Sequence, residues 1–295
     1  MKLLLSVGEG LGNVTQVLPL ANVLKYNEIP FDVLNLSNCK TEVISWLFSN
    51  YANVIGNLDH YNYDGRVELA TTKGVLRTSD RLDIPLINDV KKQHIYRTDM
   101  SEVEVYLIVA RDLGLTFPET TYDVSLPQTK ETETFDFVVH NGCILTNKVY
   151  WERKKYIHMK ELVERLIDGG YTVACIGAPE EYCGAGVNKT GLKIEDSAAL
   201  MNNCKFYISN ETGTYQIASA FKTPGIVLYT ATTPVKGHHP KFNGTFKVVT
   251  AGLDCQPCAY TDAWDKCTKS THNLWNCRDI PVDKVIEEIK NADIF

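Results

Sequence analysis

Between Lys2 and Asn291 the chain alternates short apolar runs with stretches of helical period, and one polar stretch breaks the alternation. That pattern leaves few folds open. Parallel strands need long crossover connections, and a helix is the compact way to make one. In the first series, residues 2–8 and 31–37 read as strands, and 14–25, 41–52 and 101–115 as helices. Pro19 either kinks the first helix or delays its start, because it lacks the N–H that a helix interior needs. Ser101 with Glu104 has the spacing of a capping box. Residues 121–136 are polar, aperiodic and contain a proline, which is linker composition. A second series follows, with strands expected at 135–142, 171–177, 205–210 and 225–230. Its helices are expected at 150–170, 196–204 with Asp196 as N-cap, 213–221 and 282–291. The expectation is an α/β chain of two Rossmann-like, doubly wound parallel-sheet lobes, residues 1–125 and 135–280, with a terminal helix at 281–295. Ligands of such sheets sit beyond the carboxyl ends of the strands, so a cleft between the lobes is the expected site.

Composition narrows the class. The net charge is −6, against the basic face that duplex binding requires, so nucleic acid is disfavoured as a partner. No apolar stretch approaches the ~20 residues of a membrane span, and Leu3–Leu5 is too short for a signal core, so a cytoplasmic protein is expected. Nine cysteines, an odd number, argue against a disulfide scaffold. Four of them cluster as Cys255-x2-Cys258-x8-Cys267-x9-Cys277. The first pair is a metal knuckle and the second would complete a tetrahedral structural zinc site; two disulfides or four free thiols are the alternatives. His238 and His239, with no acid or cysteine beside them, read as a surface pair.

Two turns have the composition of binding loops. The first is Gly8-Glu9-Gly10-Leu11-Gly12-Asn13. Its spacing departs from the dinucleotide fingerprint, and the second strand ends in Asn35, Leu36 and Ser37 with no acid for a ribose. The second is Asn210-Glu211-Thr212-Gly213-Thr214. Free N–H groups at the helix start and two threonine hydroxyls suit a diphosphate, while Glu211 suits sugar hydroxyls. Thr212 as a simple helix cap is the competing reading.

At these turns the sequence resembles glycosyltransferase family 9, the heptosyltransferases. "GLGNVTQVLPLANVLK" is similar to that family's opening motif, and "YISNETGTYQIASAFKTPGIVLYTATTP" to its second signature. The resemblance implies a GT-B fold, with the acceptor on the first lobe and a nucleoside-diphosphate sugar on the second. It implies inverting transfer to an acceptor hydroxyl on a glycan, lipid-linked or other molecule, with no catalytic metal or cofactor. Gly10 and Gly12 keep the first motif as the acceptor loop, but the family's catalytic acid is Asn13 here. An amide orients a hydroxyl without deprotonating it. Glu9 or another acid such as Asp99 would then be the base, unless activity is lost. In the second motif Asn210 and Gly213 are kept, Glu211 and Thr212 stand for Asp and Ser, and Gln216 stands for His. The resemblance also places Lys148, ahead of Trp151, as a phosphate ligand, with Lys154 and Lys155 as alternatives. Thr230 and Thr232 fall in the donor loop. The competing functions are a GT-B transferase acting on a modified nucleobase in phage DNA and a non-catalytic nucleotide-sugar binding protein.

Overall fold

The computed structural model describes residues 1–55, 62–69, 84–88, 99–143, 152–258, 270–271 and 274–292. The chain divides into two compact units, Met1–Gln128 with His238–Phe242, and Thr129–Gly237 with Asn243–Phe295.

Unit 1 holds strands β1 (Leu3–Glu9), β2 (Phe31–Ser37), β3 (Asn53–Ile55), β4 (Gly65–Leu69) and β5 (Leu86–Asn88). They form one parallel sheet in the order β3-β2-β1-β4-β5. β1 is central, and every residue from Leu3 to Gly8 is buried, as expected of a strand covered on both faces. Its helices are α1 (Leu11–Thr15), α2 (Leu18–Tyr26), α3 (Thr41–Phe48) and α4 (Glu102–Asp112). Residues 14–25 are thus two helices, with Pro19 in the first turn of the second, where its missing N–H costs nothing. β4 escapes the apolar pattern because Arg66 and Glu68, both buried, alternate with Val67 and Leu69 and pair with each other at 3.3 Å.

Unit 2 holds β6 (Phe137–His140), β7 (Val173–Ile176), β8 (Val187–Asn188), β9 (Phe206–Asn210), β10 (Gly225–Tyr229) and β11 (Phe246–Thr250). The order is β11-β10-β9-β6-β7-β8, again all parallel. Its helices are α5 (Met159–Asp168), α6 (Ile194–Asn203), α7 (Gly213–Ala220), a single turn α8 (Pro234–Gly237), and α9 (Val282–Lys290). Met159, Leu162, Val163 and Leu166 of α5 lie on one face and join the same core as Val282, Val285 and Ile289 of α9. The terminal helix is therefore part of the second unit's core.

Three local expectations are corrected. Residues 152–158 do not continue α5: Glu152–Lys154 form a 3-10 turn, and the Tyr156 N–H is taken by Asn210 Oδ1 at 3.0 Å. The N-cap of α6 is Lys193; Asp196 lies inside the first turn and pairs with Lys130 at 3.5 Å. His239 is buried rather than on the surface. It stacks on Tyr122 with centroids 4.6 Å apart, and its Nε2 lies 3.0 Å from Glu104 Oε1. The capping box is half formed. Ser101 Oγ accepts the Glu104 N–H at 3.2 Å, while the Glu104 carboxylate bonds His239, Arg111 and Tyr122. His239 first, and Arg111 and Tyr122 after it, outweigh burial and hold the Glu104 carboxyl down to about 2.

Candidate functional site

The strand orders locate the sites. In unit 1 the chain lays β2 and β3 on one side of β1, then returns to place β4 on the other. In unit 2 it lays β7 and β8 on one side of β6, then returns to place β9 on the other. Each sheet thus has a topological switch beside its first strand, and ligands of open parallel sheets gather at the carboxyl end of such a switch. Glu9 ends β1, and His140 and Asn210 end β6 and β9.

At the unit 1 switch, the left-handed backbone position falls on Glu9, with φ 66°, and not on a glycine. Gly10 is extended, with φ −96°, and is the N-cap of α1. A non-glycine residue in this region costs about 1 kcal/mol and persists only when its surroundings fix it. The Asn38 N–H, bonded to the Glu9 carbonyl at 2.9 Å, contributes to that. Asn13, one turn into α1, donates its Nδ2 to Glu102 Oε1 at 3.1 Å. Glu102 is the first residue of α4, is 2% exposed, and also accepts the Tyr106 hydroxyl at 3.1 Å. The Tyr106 phenol is pushed well above its ordinary value, by burial and then by the Glu9 charge, with Asn13 opposing. Glu9, Asn13, Glu102 and Tyr106 are therefore one electrostatic cluster. Sequence reading missed Glu102 and Tyr106, which sit about 90 residues away from the glycine turn. Asp99 lies three residues ahead of Glu102, in the segment that leads into α4.

At the unit 2 switch, Asn210 is fully buried and spends its side chain inside the protein. Its Nδ2 donates to Asn141 Oδ1 at 3.3 Å and Gly142 O at 3.1 Å, and its Oδ1 accepts from Tyr156. It ties three loops together. Thr212 is the N-cap of α7, yet its hydroxyl makes no capping bond. Instead Thr212 Oγ1 and Thr214 Oγ1 lie 3.2 and 3.0 Å from His140 Nδ1, and 3.1 Å from each other. The first N–H groups of α7 are left without a side-chain cap, so the simple capping role is excluded. His140, which sequence reading passed over, is 6% exposed, and its Nε2 lies 3.3 Å from Glu181 Oε2. Burial raises the Glu181 carboxyl, but His140 and the N–H groups of Ala178 and Cys143 bring it below its ordinary value.

Glu211 pairs with Lys154, and its Oε2 also accepts the Thr232 hydroxyl at 3.1 Å. Lys154, an alternative phosphate ligand, is thereby committed to Glu211. The Thr230 hydroxyl donates to the Arg153 carbonyl at 2.5 Å. Gln216 is 1% exposed and bridges Gly237 O and Asn243, a packing role. Lys155 lines a cleft of about 140 Å³ with Asn141, Gly142, Cys143 and three glutamates. Lys148 and Trp151 lie outside the described residues. In the tail, Cys258 and Cys277 are buried in one small cluster with Ala231, Cys255 is half-buried, and Cys267 lies outside the described residues. Among the described residues no three potential metal ligands gather, and no helix is long and apolar enough to cross a membrane.

The sequence profile of "Glycosyltransferase family 9 (heptosyltransferase)" matches residues 71–267. The second motif lies inside that match and the opening glycine turn outside it. Among curated proteins there is no match. Solved structures with the same fold include a glycosyl transferase family 9 protein from Veillonella parvula, 13% identical, with TM-score 0.73 over 99% of this chain and 96% of that one. The E. coli heptosyltransferase WaaC with ADP is 16% identical, with TM-score 0.70 over 99% of this chain and all of that one. The iron-containing dodecameric glycosyltransferase TibC from enterotoxigenic E. coli is 14% identical, with TM-score 0.68 over 99% of this chain and 75% of that one.

Proposed function

The chain belongs to glycosyltransferase family 9, and from that premise we propose that it transfers a sugar from a nucleoside diphosphate to an acceptor hydroxyl, with inversion and without a catalytic metal. The observation that carries the reading is the start of α7 at the β6/β9 switch. A helix N-terminus whose cap hydroxyl is turned away presents N–H groups that no intrahelical carbonyl takes, and positive potential, to an anion. Thr212, Thr214 and Gly213 take the diphosphate, with Lys148 as the cation. Glu211, Thr230 and Thr232 shape the donor loop, and Asn210 holds it in place. The nucleobase-modifying and non-catalytic alternatives are favoured by no observation.

In the proposed reaction the acceptor oxygen attacks the anomeric carbon, and the bond to the diphosphate breaks with its electron pair leaving on phosphate. The acceptor proton goes to Glu9, the carboxylate at the end of β1, in the role that Asn13 cannot fill. The Gly10–Gly12 turn forms the acceptor loop. Glu102, by accepting from Asn13 Nδ2, fixes which face of that amide is left to receive a hydroxyl.

Glu9→Gln is expected to lower kcat by about 10²-fold or more, the ordinary worth of a general base, with nucleotide binding retained. Undiminished turnover would remove Glu9 from the mechanism. For the tail we propose a structural zinc held by Cys255, Cys258, Cys267 and Cys277; thiolates suit zinc, and two of the four already share a cluster. Elemental analysis of the purified protein is expected to find one zinc per chain, and a zinc-free folded protein rules the site out.

A further inference from the structure

His140 stands between the Glu181 carboxylate and the hydroxyls of Thr212 and Thr214, and the proposed transfer step leaves it without a role. Its side chain is about nine-tenths buried, as is that of Glu181. Glu181 is ionised: Oε1 accepts the Cys143 N–H at 3.0 Å, Oε2 accepts the Ala178 N–H at 2.9 Å, and the carboxyl sits below its usual range. An ionised carboxylate only accepts hydrogen bonds, so the ring nitrogen facing it, Nε2, carries a proton. The remaining nitrogen, Nδ1, faces Thr212 and Thr214.

The protonation of Nδ1 decides what those hydroxyls offer. In the neutral ring Nδ1 is an acceptor, and it draws a hydroxyl proton inward. Thr214, the nearer at 3.0 Å, donates to it, and Thr212 donates to Thr214 at 3.1 Å. The other acceptors near Thr212 are the Asn210 carbonyl and Ser209 Oγ, each at 3.4 Å. The hydroxyl proton that Nδ1 takes is withheld from an anion at the start of α7, and that hydroxyl turns its lone pairs toward it. In the protonated ring Nδ1 is a donor. One hydroxyl accepts its single N–H, and no hydroxyl proton is drawn inward by the ring, so both can point outward at an anion. The ring's positive charge also adds to that of the helix terminus.

We infer that the Glu181–His140–Thr212/Thr214 chain is a proton-linked clamp for the donor diphosphate, with His140 a positioning residue that takes up a proton from solvent as the diphosphate binds. This rests on the reading of α7 as the donor site. The balance is one proton from water to Nδ1, with no covalent change. Glu181 keeps the cation tolerable inside the protein, because an unpaired buried charge would be expelled. The same arrangement would stabilise the leaving diphosphate as its charge develops.

Other titratable groups stand near the ring. Glu180 follows β7 beside Glu181, and Glu152 and Lys155 come from the 3-10 turn and line the adjoining cleft. Cys143, after β6, is pushed up by burial, then by Glu152 and Glu181, and stays a neutral thiol. The Tyr207 phenol of β9 is fully buried and raised by burial first, so it is neutral too. Glu181 is the carboxylate whose oxygen meets the ring nitrogen.

The test uses the full chain and nucleoside diphosphates (ADP, UDP, GDP, CDP and dTDP) screened by thermal shift, followed by calorimetry with the tightest binder. His140→Asn keeps an amide near the Nδ1 position but cannot titrate. The wild type is expected to lose about tenfold more affinity than His140→Asn between pH 6 and pH 8. Subtracting the variant removes the ionisation of the nucleotide's own phosphate. Wild-type calorimetry in two buffers of different ionisation enthalpy is expected to show proton uptake beyond that of the nucleotide, which needs no variant. Glu181→Gln is expected to move the affinity gain to lower pH. Parallel pH profiles for wild type and His140→Asn, or no excess proton uptake, would overturn the clamp while leaving the donor site standing. Absence of binding by any of the five at every pH would overturn the donor reading and the clamp with it.

Discussion

At the scale of single residues, the informative position is Asn13. The family pattern has an acid there, and this chain places the amide on a buried carboxylate instead, with Asn13 Nδ2 3.1 Å from Glu102 Oε1. An acid at position 13 would set two carboxylates against each other, and like charges at that distance do not both ionise. Asn13→Asp therefore creates a pair that holds one proton well above the ordinary carboxyl range in the folded state. The unfolded chain releases that proton near pH 4. A group whose folded value is raised stabilises below its unfolded value and loses that contribution as pH rises. The variant is expected to match the wild type near pH 4 and to fall behind by about 1–3 kcal/mol at pH 7. Thermal melts across that range measure it, and a deficit constant with pH would contradict the Glu102 contact. The sequence carried part of this site. Glu9, Asn13, Thr212 and Thr214 were legible because turn composition is local. Glu102, Tyr106, His140 and Glu181 were not, because the contacts that tie them to the two turns span about 40 to 100 positions and each looks ordinary within its own element.

At the scale of elements, strands and helices were legible where one physical signal dominated. β2 matches its expected bounds because Phe31, Val33, Leu34 and Leu36 supply a compact apolar run that ends at the polar Ser37 and Asn38. The expected helix at 14–25 divided, because Pro19 starts a helix more readily than it sits within one. β3, β4, β5, β8 and β11 were unread: three are only two or three residues long, β4 carries a buried ion pair, and β11 is buried at only two of its five residues. Glycine placement in the sheet makes a further point. At Gly225, the first residue of β10, an added Cβ would lie 2.3 Å from the Tyr207 carbonyl oxygen of β9 and 2.5 Å from the Phe246 ring. A backbone atom in mid-sheet cannot step aside without moving its strand. Gly225→Ala is expected to cost about 1–3 kcal/mol, the usual penalty for overpacking. Denaturant unfolding checks it, and an unchanged midpoint would mean that the sheet gives more easily than close packing implies.

At the scale of the whole molecule, each unit repeats one architecture: a buried first strand, a topological switch beside it, and the chemical groups at its carboxyl end. Unit 2, the proposed donor half, carries the fuller set of chemical groups. It has an uncapped eight-residue helix, two hydroxyls turned to a histidine, and a carboxylate–lysine pair at the adjoining loop. Unit 1, the proposed acceptor half, departs more from the family pattern, and the profile match begins at residue 71, after the glycine turn. The acidic chain, with net charge −6, agrees with a small anionic donor bound by local helix potential rather than by a basic surface. The central claim is that the start of α7 receives the donor diphosphate. Calorimetric titration of a nucleoside diphosphate into the wild type and into the Thr212→Val/Thr214→Val double variant tests it most directly. Valine keeps the branched shape and removes both hydroxyls, and no capping bond is lost at Thr212. The account predicts at least a tenfold weaker affinity, about 1.4 kcal/mol, in a variant that still unfolds cooperatively; equal affinity in the two proteins would contradict it.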